Sequence, residues 1–220
     1  MWERPIRVDG ILYESTVESV IAFATALLDQ TPHPPLVYEH HENASMLGLL
    51  DAGQIDLIIG REREEDIDVR GLVVVPLLRS RFCAVVTAGH PLARLITVRA
   101  EDLKDQVLLK FVDSYAAHGW RSVAEYLAHH GVEPRSCSVM GRFAAYQATP
   151  VDDTVFSQSS NVRNLKFLSD SGRYAVIPFE DEDALFCIDC LFKREDEERL
   201  RFFVDTLVEA RDIVLKHHDR

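Results

Sequence analysis

Short apolar runs alternate along the chain with stripes at helical spacing, and this alternation predicts the elements. Residues 6–13 read as a strand. Val17, Val20, Ile21, Ala24, Leu27 and Leu28 then fall on one helical stripe. Ser15 and Glu18 give the S-x-x-E capping-box pattern at its start. The run Thr31-Pro32-His33-Pro34-Pro35 ends the helix, because proline cannot continue it. Residues 36–41 read as a second strand. A short helix over 44–52 follows, with Gly53 suited to the position just past its end. Residues 55–60 are apolar except for Asp56, the pattern of a parallel strand buried on both faces. The run 61–70 (REREEDIDVR) reads as a charged loop. Residues 72–78 and 82–87 read as two strands joined by an Arg-Ser-Arg turn.

The sequence Ala88-Gly89-His90-Pro91 breaks the pattern, and here the chain is expected to leave a first lobe. A second α/β unit begins near Glu101. It has a strand at 107–112, then a helix marked by Trp120, Val123, Ala124 and Leu127 that Gly131 can end. Residues 136–140 and 154–157 read as short strands, and 141–171 carries no clear period. Strands at 173–178 and 185–192 precede a closing helix over 195–216, whose stripe is Leu200, Phe203, Val204, Leu207, Ala210 and Val214. Strand, helix, strand in repeated order is the mark of an α/β fold with right-handed crossovers. No Ser/Gly-rich linker separates the halves, so strands should connect them.

With 220 residues and 47% hydrophobic content, the chain can bury one ordinary core or two small ones. Its net charge of -12 and scattered Lys and Arg oppose direct binding to phosphate backbones. Three of the four cysteines (Cys83, Cys187, Cys190) lie in apolar runs and, with Cys137, read as free thiols of a reducing compartment. The N-terminus has no apolar leader core, and no apolar run nears the ~20 residues of a membrane span. A soluble cytoplasmic chain is expected.

Catalytic and metal signatures are weak. Cys187 and Cys190 spell C-x-x-C, but within a strand they face opposite sides, unlike a zinc or redox pair. The adjacent pairs His40-His41, His129-His130 and His217-His218 point apart on extended backbone. No G-x-S-x-G, Walker A or G-x-G-x-x-G run occurs. No catalytic residue, metal ion or cofactor is expected.

The chemistry is expected instead where strands hand over to helices, because helix N-termini there offer unpaired N–H groups. Tyr13, Ser15 and Thr16 occupy the first such turn, where Ser15 can bind an anion or simply cap the helix. Glu42 and Asn43 occupy the second, and Asn43 can meet a ligand or cap. Arg61 follows the third strand, either as a solvated surface group or as a partner for an anion. Thr87 lies at the expected hinge. In the second unit Asp113 and Ser114 follow a strand, Arg142 and Phe143 start a possible helix, and Ser157 and Gln158 open a polar loop.

The stretch Leu50-Asp51-Ala52-Gly53-Gln54-Ile55-Asp56-Leu57-Ile58-Ile59-Gly60 resembles a signature of LysR-type transcriptional regulators. At the expected distances follow Val74-Val75-Pro76-Leu77, Cys83-Ala84-Val85-Val86, His90-Pro91-Leu92-Ala93, Glu101-Asp102-Leu103 and Val176-Ile177-Pro178. The resemblance runs from about Ile6 to Val208. It implies the effector-binding domain of that family, with a fold like type 2 periplasmic binding proteins: two Rossmann-like lobes joined by two hinge strands. The first lobe would comprise 1–86 with 187–220 and the second 87–186. It also implies a small-molecule effector in the cleft, with a Ser or Thr at the first turn meeting its carboxylate. A homodimer through the first lobe is implied too, and DNA contact only through a winged helix-turn-helix that would precede Ile6 and is not in this chain. Two other readings use the same scaffold: a transporter's solute-binding protein, which needs export, and an enzyme, which needs a catalytic pair in the cleft.

Overall fold

A computed structural model of the chain describes residues 4–11, 15–30, 32–41, 44–62, 64–111, 114–133, 135–139, 154–158 and 165–218. The chain divides into two compact units, Met1–Arg79 with Cys187–Arg220, and Ser80–Phe186.

The first unit contains β1 (Ile6–Gly10), α1 (Ser15–Leu28), β2 (Leu36–Tyr38), α2 (Met46–Asp51), β3 (Leu57–Gly60) and α3 (Glu64–Arg70). Most of β4 (Leu72–Arg81) and β10 (Leu185–Lys193) also belong to it, as does the long helix α6 (Glu197–His218). Its sheet has the order β2-β1-β3-β10-β4. The strand β1 is parallel to both neighbours, with Val8 opposite Tyr38 on one side and Leu57 on the other. The returning strand β10 is antiparallel to β3, with Asp189 opposite Gly60.

All four residues of β3 are buried, because helices cover both faces of the sheet. Leu47 and Leu50 of α2 pack with Ile55, Ile58, Leu72 and Leu191. The helices α1 and α6 pack together, and the buried stripes Val17, Val20, Ala24, Leu28 and Leu200, Phe203, Val204, Leu207, Ala210 are the ones the spacing predicts. Each large apolar side chain so buried contributes about 1.5–3 kcal/mol. Ser45 caps α2, its Oγ accepting the Gly48 N–H at 3.2 Å, so this cap falls two residues after Asn43. Gly53 follows the cap with φ +66°, as a residue just past a helix end requires.

The second unit contains β5 (Cys83–Thr87), β6 (Val107–Phe111), α4 (Ser114–His129), β7 (Arg135–Val139), β8 (Phe156–Gln158), α5 (Lys166–Asp170) and β9 (Tyr174–Pro178). The strand β5 lies between β8 and β9, antiparallel to both, and β6 is parallel to β7. Cys83, Val85, Leu109 and Leu165 form a core packed against Leu168, Tyr174 and Val176.

Three expectations need correction. Residues 64–70 are the helix α3, where a loop is expected. Ile67 packs against the core, and Arg70 bridges Asp66 one turn earlier and Asp51, each at 3.1 Å. The charged run is therefore the outer face of an amphipathic helix. The Arg-Ser-Arg segment is not a turn either. The strand β4 runs through it to Arg81, with Arg79 and Arg81 outward and Ser80 buried, the alternation of extended chain. Finally, both partners of β5 lie in the second unit, so residues 80–86 belong there and not with the first lobe. The chain passes between units at Arg79/Ser80 and Phe186/Cys187. No helix among the described residues is long and apolar enough to cross a membrane.

Candidate functional site

Because β1, β2 and β3 are parallel, their carboxyl ends, at Gly10, Tyr38 and Gly60, open on the same edge of the first unit's sheet. The order β2-β1-β3 makes the β1/β3 boundary the point where successive connections depart to opposite sides. Open α/β sheets leave a crevice for ligands at such a point, beyond the carboxyl ends. Gly10 is indispensable there. Its φ is +128°, and a Cβ on it would sit 2.0 Å from the Ile59 carbonyl oxygen. The next residue, Ile11, donates its N–H to that same oxygen at 2.6 Å. The two backbones thus meet closely at the end of β1.

The second strand end is organised by a buried carboxylate. Asp9, 1% exposed, accepts from the Gly10 N–H at 2.6 Å and the His41 N–H at 3.0 Å. Its Oδ2 also lies 2.7 Å from Nδ1 of His41, whose Nε2 is 3.6 Å from Glu39. Asp9 therefore fixes the segment after β2 and the plane of the His41 ring. No local signal pairs Asp9 with His41, since they are 32 positions apart.

The third end carries Arg61. This half-buried residue has no hydrogen bond or ion pair among the described residues. Other arginines of this unit are engaged: Arg70 with Asp51 and Asp66, Arg79 with Asp189, and Arg199 with Asp56 and Asp196.

The remaining predicted positions are distributed as follows. Ser15 and Thr16 begin α1 beside the crevice, and Thr16 is buried with 6% exposure. Tyr13, Glu42, Asn43, Asp113, Arg142 and Phe143 lie outside the described residues. Ser114 starts α4, and Ser157 and Gln158 lie in β8, not in a loop; Gln158 is opposite Cys83. Thr87 closes β5 opposite Tyr174, seven residues beyond Ser80, so it is not at the crossing where it was expected. Ser15, Thr16 and Arg61 thus belong to the first unit, and Thr87, Ser114, Ser157 and Gln158 to the other.

Asp56 serves the opposite end of β3. Its carboxylate, 1% exposed, accepts the Arg7 backbone N–H at 2.9 Å, Arg199 at 2.7 Å and Arg4 at 2.8 Å. Burial opposes the charge on Arg199, but its bonds to Asp56 and Asp196 outweigh that and hold its pKa above the ordinary value. Asp56 is a structural clamp of β1, β3 and α6. In the second unit, Tyr126 donates to Asp181 at 2.5 Å and packs edge-on against Phe179. Burial first, then the bond to Asp181, pushes the Tyr126 phenol up. Burial likewise pushes the Cys83 thiol up to about 12 and raises that of Cys190, which leaves both as inert thiols. Cys187 is half-buried and Cys190 buried within β10. Among the described residues no group of three or more His, Cys, Asp or Glu is placed to hold a metal ion.

A search of curated protein sequences finds no match. Solved structures are similar over nearly the whole length. The chain resembles the BenM effector-binding domain, solved with its effector benzoate, at 18% identity and a TM-score of 0.74, covering 100% of this chain and 95% of that one. It resembles the regulatory domain of MetR, a LysR family regulator from N. meningitidis, at 16% identity and a TM-score of 0.68, covering 94% and 93%. Full-length CbnR complexed with its target DNA matches at 19% identity and a TM-score of 0.67, covering 94% of this chain and 70% of that one. These likenesses establish the two-lobed fold of LysR effector-binding domains. The family model for the LysR substrate binding domain matches residues 16–148, well over half of the chain, and the protein belongs to that family.

Proposed function

We propose that this chain is an effector-sensing module of a LysR-type regulator, that it binds a small anionic molecule, and that it catalyses no reaction. The observation that carries the reading is Arg61. It is a half-buried residue with no partner among the described residues, at the β3 end of the β1/β3 switch point, in a chain of net charge -12. A guanidinium is a bidentate anchor for a carboxylate, and the start of α1 adds backbone N–H groups on the same edge. The two units act as the two lobes of the family's fold, the first comprising 1–79 with 187–220. Effector works by preferring one of two arrangements of the protein, and its differential affinity sets the shift. The module acts in the cytoplasm as a homodimer paired through the first lobe, and DNA is read by a domain outside this stretch.

The test is thermal unfolding with a panel of small carboxylates, including benzoate, the effector of the BenM domain. At 100 times its Kd a ligand stabilises the folded chain by about 2.7 kcal/mol. Arg61→Ala should weaken the binding of any hit at least about tenfold without lowering the melting temperature of the free protein. A panel in which no compound raises that temperature argues against the module being a sensor of small anions.

A further inference from the structure

We propose that the effector carries a hydrogen-bond donor, an ammonium or hydroxyl group, in addition to its anionic group, and that Asp189 receives it. This rests on the sensor reading above. Gly60 of β3 pairs with Asp189 of β10, and the side chain of Arg79, from the next strand β4, reaches Asp189. Gly60 and Asp189 are directly opposite, so their side-chain positions lie on the same face.

The carboxylate is nearly buried, with 11% of its side chain exposed. Its Oδ1 is held by Arg79 at 2.5 Å, and the same guanidinium donates to the Ile188 and Leu78 carbonyls at 3.3 and 2.8 Å. That grip orients the carboxylate and offsets its charge. Its Oδ2 has no partner among the described residues. It is also absent from the fully enclosed unsatisfied atoms, of which Thr154 Oγ1 is the one found among those residues. Among the described residues Oδ2 is therefore an acceptor that Arg79 helps hold in place, that is not fully enclosed and that has no partner.

Gly60 keeps the place beside it open. A Cβ on Gly60 would touch only the Ile58 Cγ2 at 3.6 Å, an ordinary contact, so neither packing nor backbone conformation requires glycine here. The contrast with Gly10, where a Cβ meets backbone at 2.0 Å, is sharp. A glycine that no contact requires, paired across the strands with Asp189 at the strand-end edge, leaves room on that face for a ligand group. Gly60 also precedes Arg61, so one short segment supplies both that room and the anion anchor. A site that hydrogen-bonds a ligand donor rejects the analogue lacking it, since its buried acceptor is then left unpaired.

The experiment uses matched probes on the full chain: benzoate against its hydroxy and amino derivatives, and butyrate against hydroxybutyrates and aminobutyrates. Binding is read by thermal shift and calorimetry. Donor-bearing probes should bind about tenfold or more tightly than their parents. Asp189→Asn should abolish that preference, most strongly for ammonium probes, and Gly60→Ala should weaken donor-bearing probes while leaving the free protein's melting temperature unchanged or raised. A probe that binds wild type, Gly60→Ala and Asp189→Asn equally overturns this inference and leaves the sensor reading intact. A panel with no binder at all overturns both.

Discussion

Removing the Asp56 carboxylate tests the physical account of the first unit most directly. The side chain is 1% exposed and joins three segments: the start of β1 through Arg4 and Arg7, β3 through its own backbone, and α6 through Arg199. In Asp56→Ala the Arg7 backbone N–H loses its acceptor in a part-buried place, at a cost of about 1–2 kcal/mol. The bond to Arg199, whose side chain is 32% exposed, contributes about 1.5 kcal/mol. Arg4 is 46% exposed and finds water instead, so its loss counts for less than about 1 kcal/mol. The sum is about 3–4 kcal/mol, a large part of the ~5–15 kcal/mol by which domains are stable. Urea unfolding of wild type and variant, followed by far-ultraviolet circular dichroism, measures it, and the two units are tracked separately by hydrogen exchange because they need not unfold together. Protection should fall in β1, β3 and α6, and leave β5 and β9 unaffected. Arg199→Ala on the Asp56→Ala background should cost little more, since the pair acts as one. A loss below about 1 kcal/mol, or a loss spread equally over both units, would refute the clamp.

Four further outcomes follow from other sites. Gly10→Ala should destabilise the first unit by about 3–5 kcal/mol, because the residue must hold φ +128° and its Cβ would strike the Ile59 carbonyl; a melting temperature within 2 °C of wild type, on the order of 1 kcal/mol or less, would contradict this. The Cys83 thiol is protonated in the fold up to about pH 12 but ionises from 9 when unfolded. Its stabilising contribution is thus full below pH 9 and lost as pH rises toward 12, and Cys83→Ala should flatten that alkaline decline in urea midpoints. At pH 8 a thiol reagent should label Cys137 rapidly and leave Cys83 and Cys190 protected, as counted by mass spectrometry. Tyr126→Phe should cost about 1–2 kcal/mol by removing the bond to Asp181, and in the wild type the raised phenol should stay un-ionised in an alkaline absorbance titration until unfolding releases it.

Much of the fold is legible in the residue pattern, because the signals are local. The stripes of α1 and α6, the apolar run ending in Gly60 and the glycines after α2 and α4 all act within a few residues of where they are written. The signature at 50–60 and the runs after it were enough to point to the LysR family, and the match over 16–148 agrees. Where neighbours mislead, the reading fails. The acidic and basic residues of 61–70 hide Ile67, the apolar position that packs inward and makes the charged run the outer face of α3. The Arg-Ser-Arg segment looks like a turn until the alternation of burial through Ser80 shows that β4 continues.

The site shows the same division. That Arg61 follows a strand end and that α1 starts at Ser15 are legible because a strand end and a helix start are local events. Asp9 with His41, Asp56 with Arg199 and Asp189 with Arg79 are not, since their partners lie 32, 143 and 110 positions apart. By itself the sequence determined which segments are strands and helices and which family they compose, because periodicity and turn chemistry are written in adjacent residues. Only the tertiary structure decided which charges are paired, which glycine is obligatory and where the chain crosses from one unit to the other. Those depend on strands far apart in the chain being brought within hydrogen-bonding distance, and no neighbouring residue records that distance.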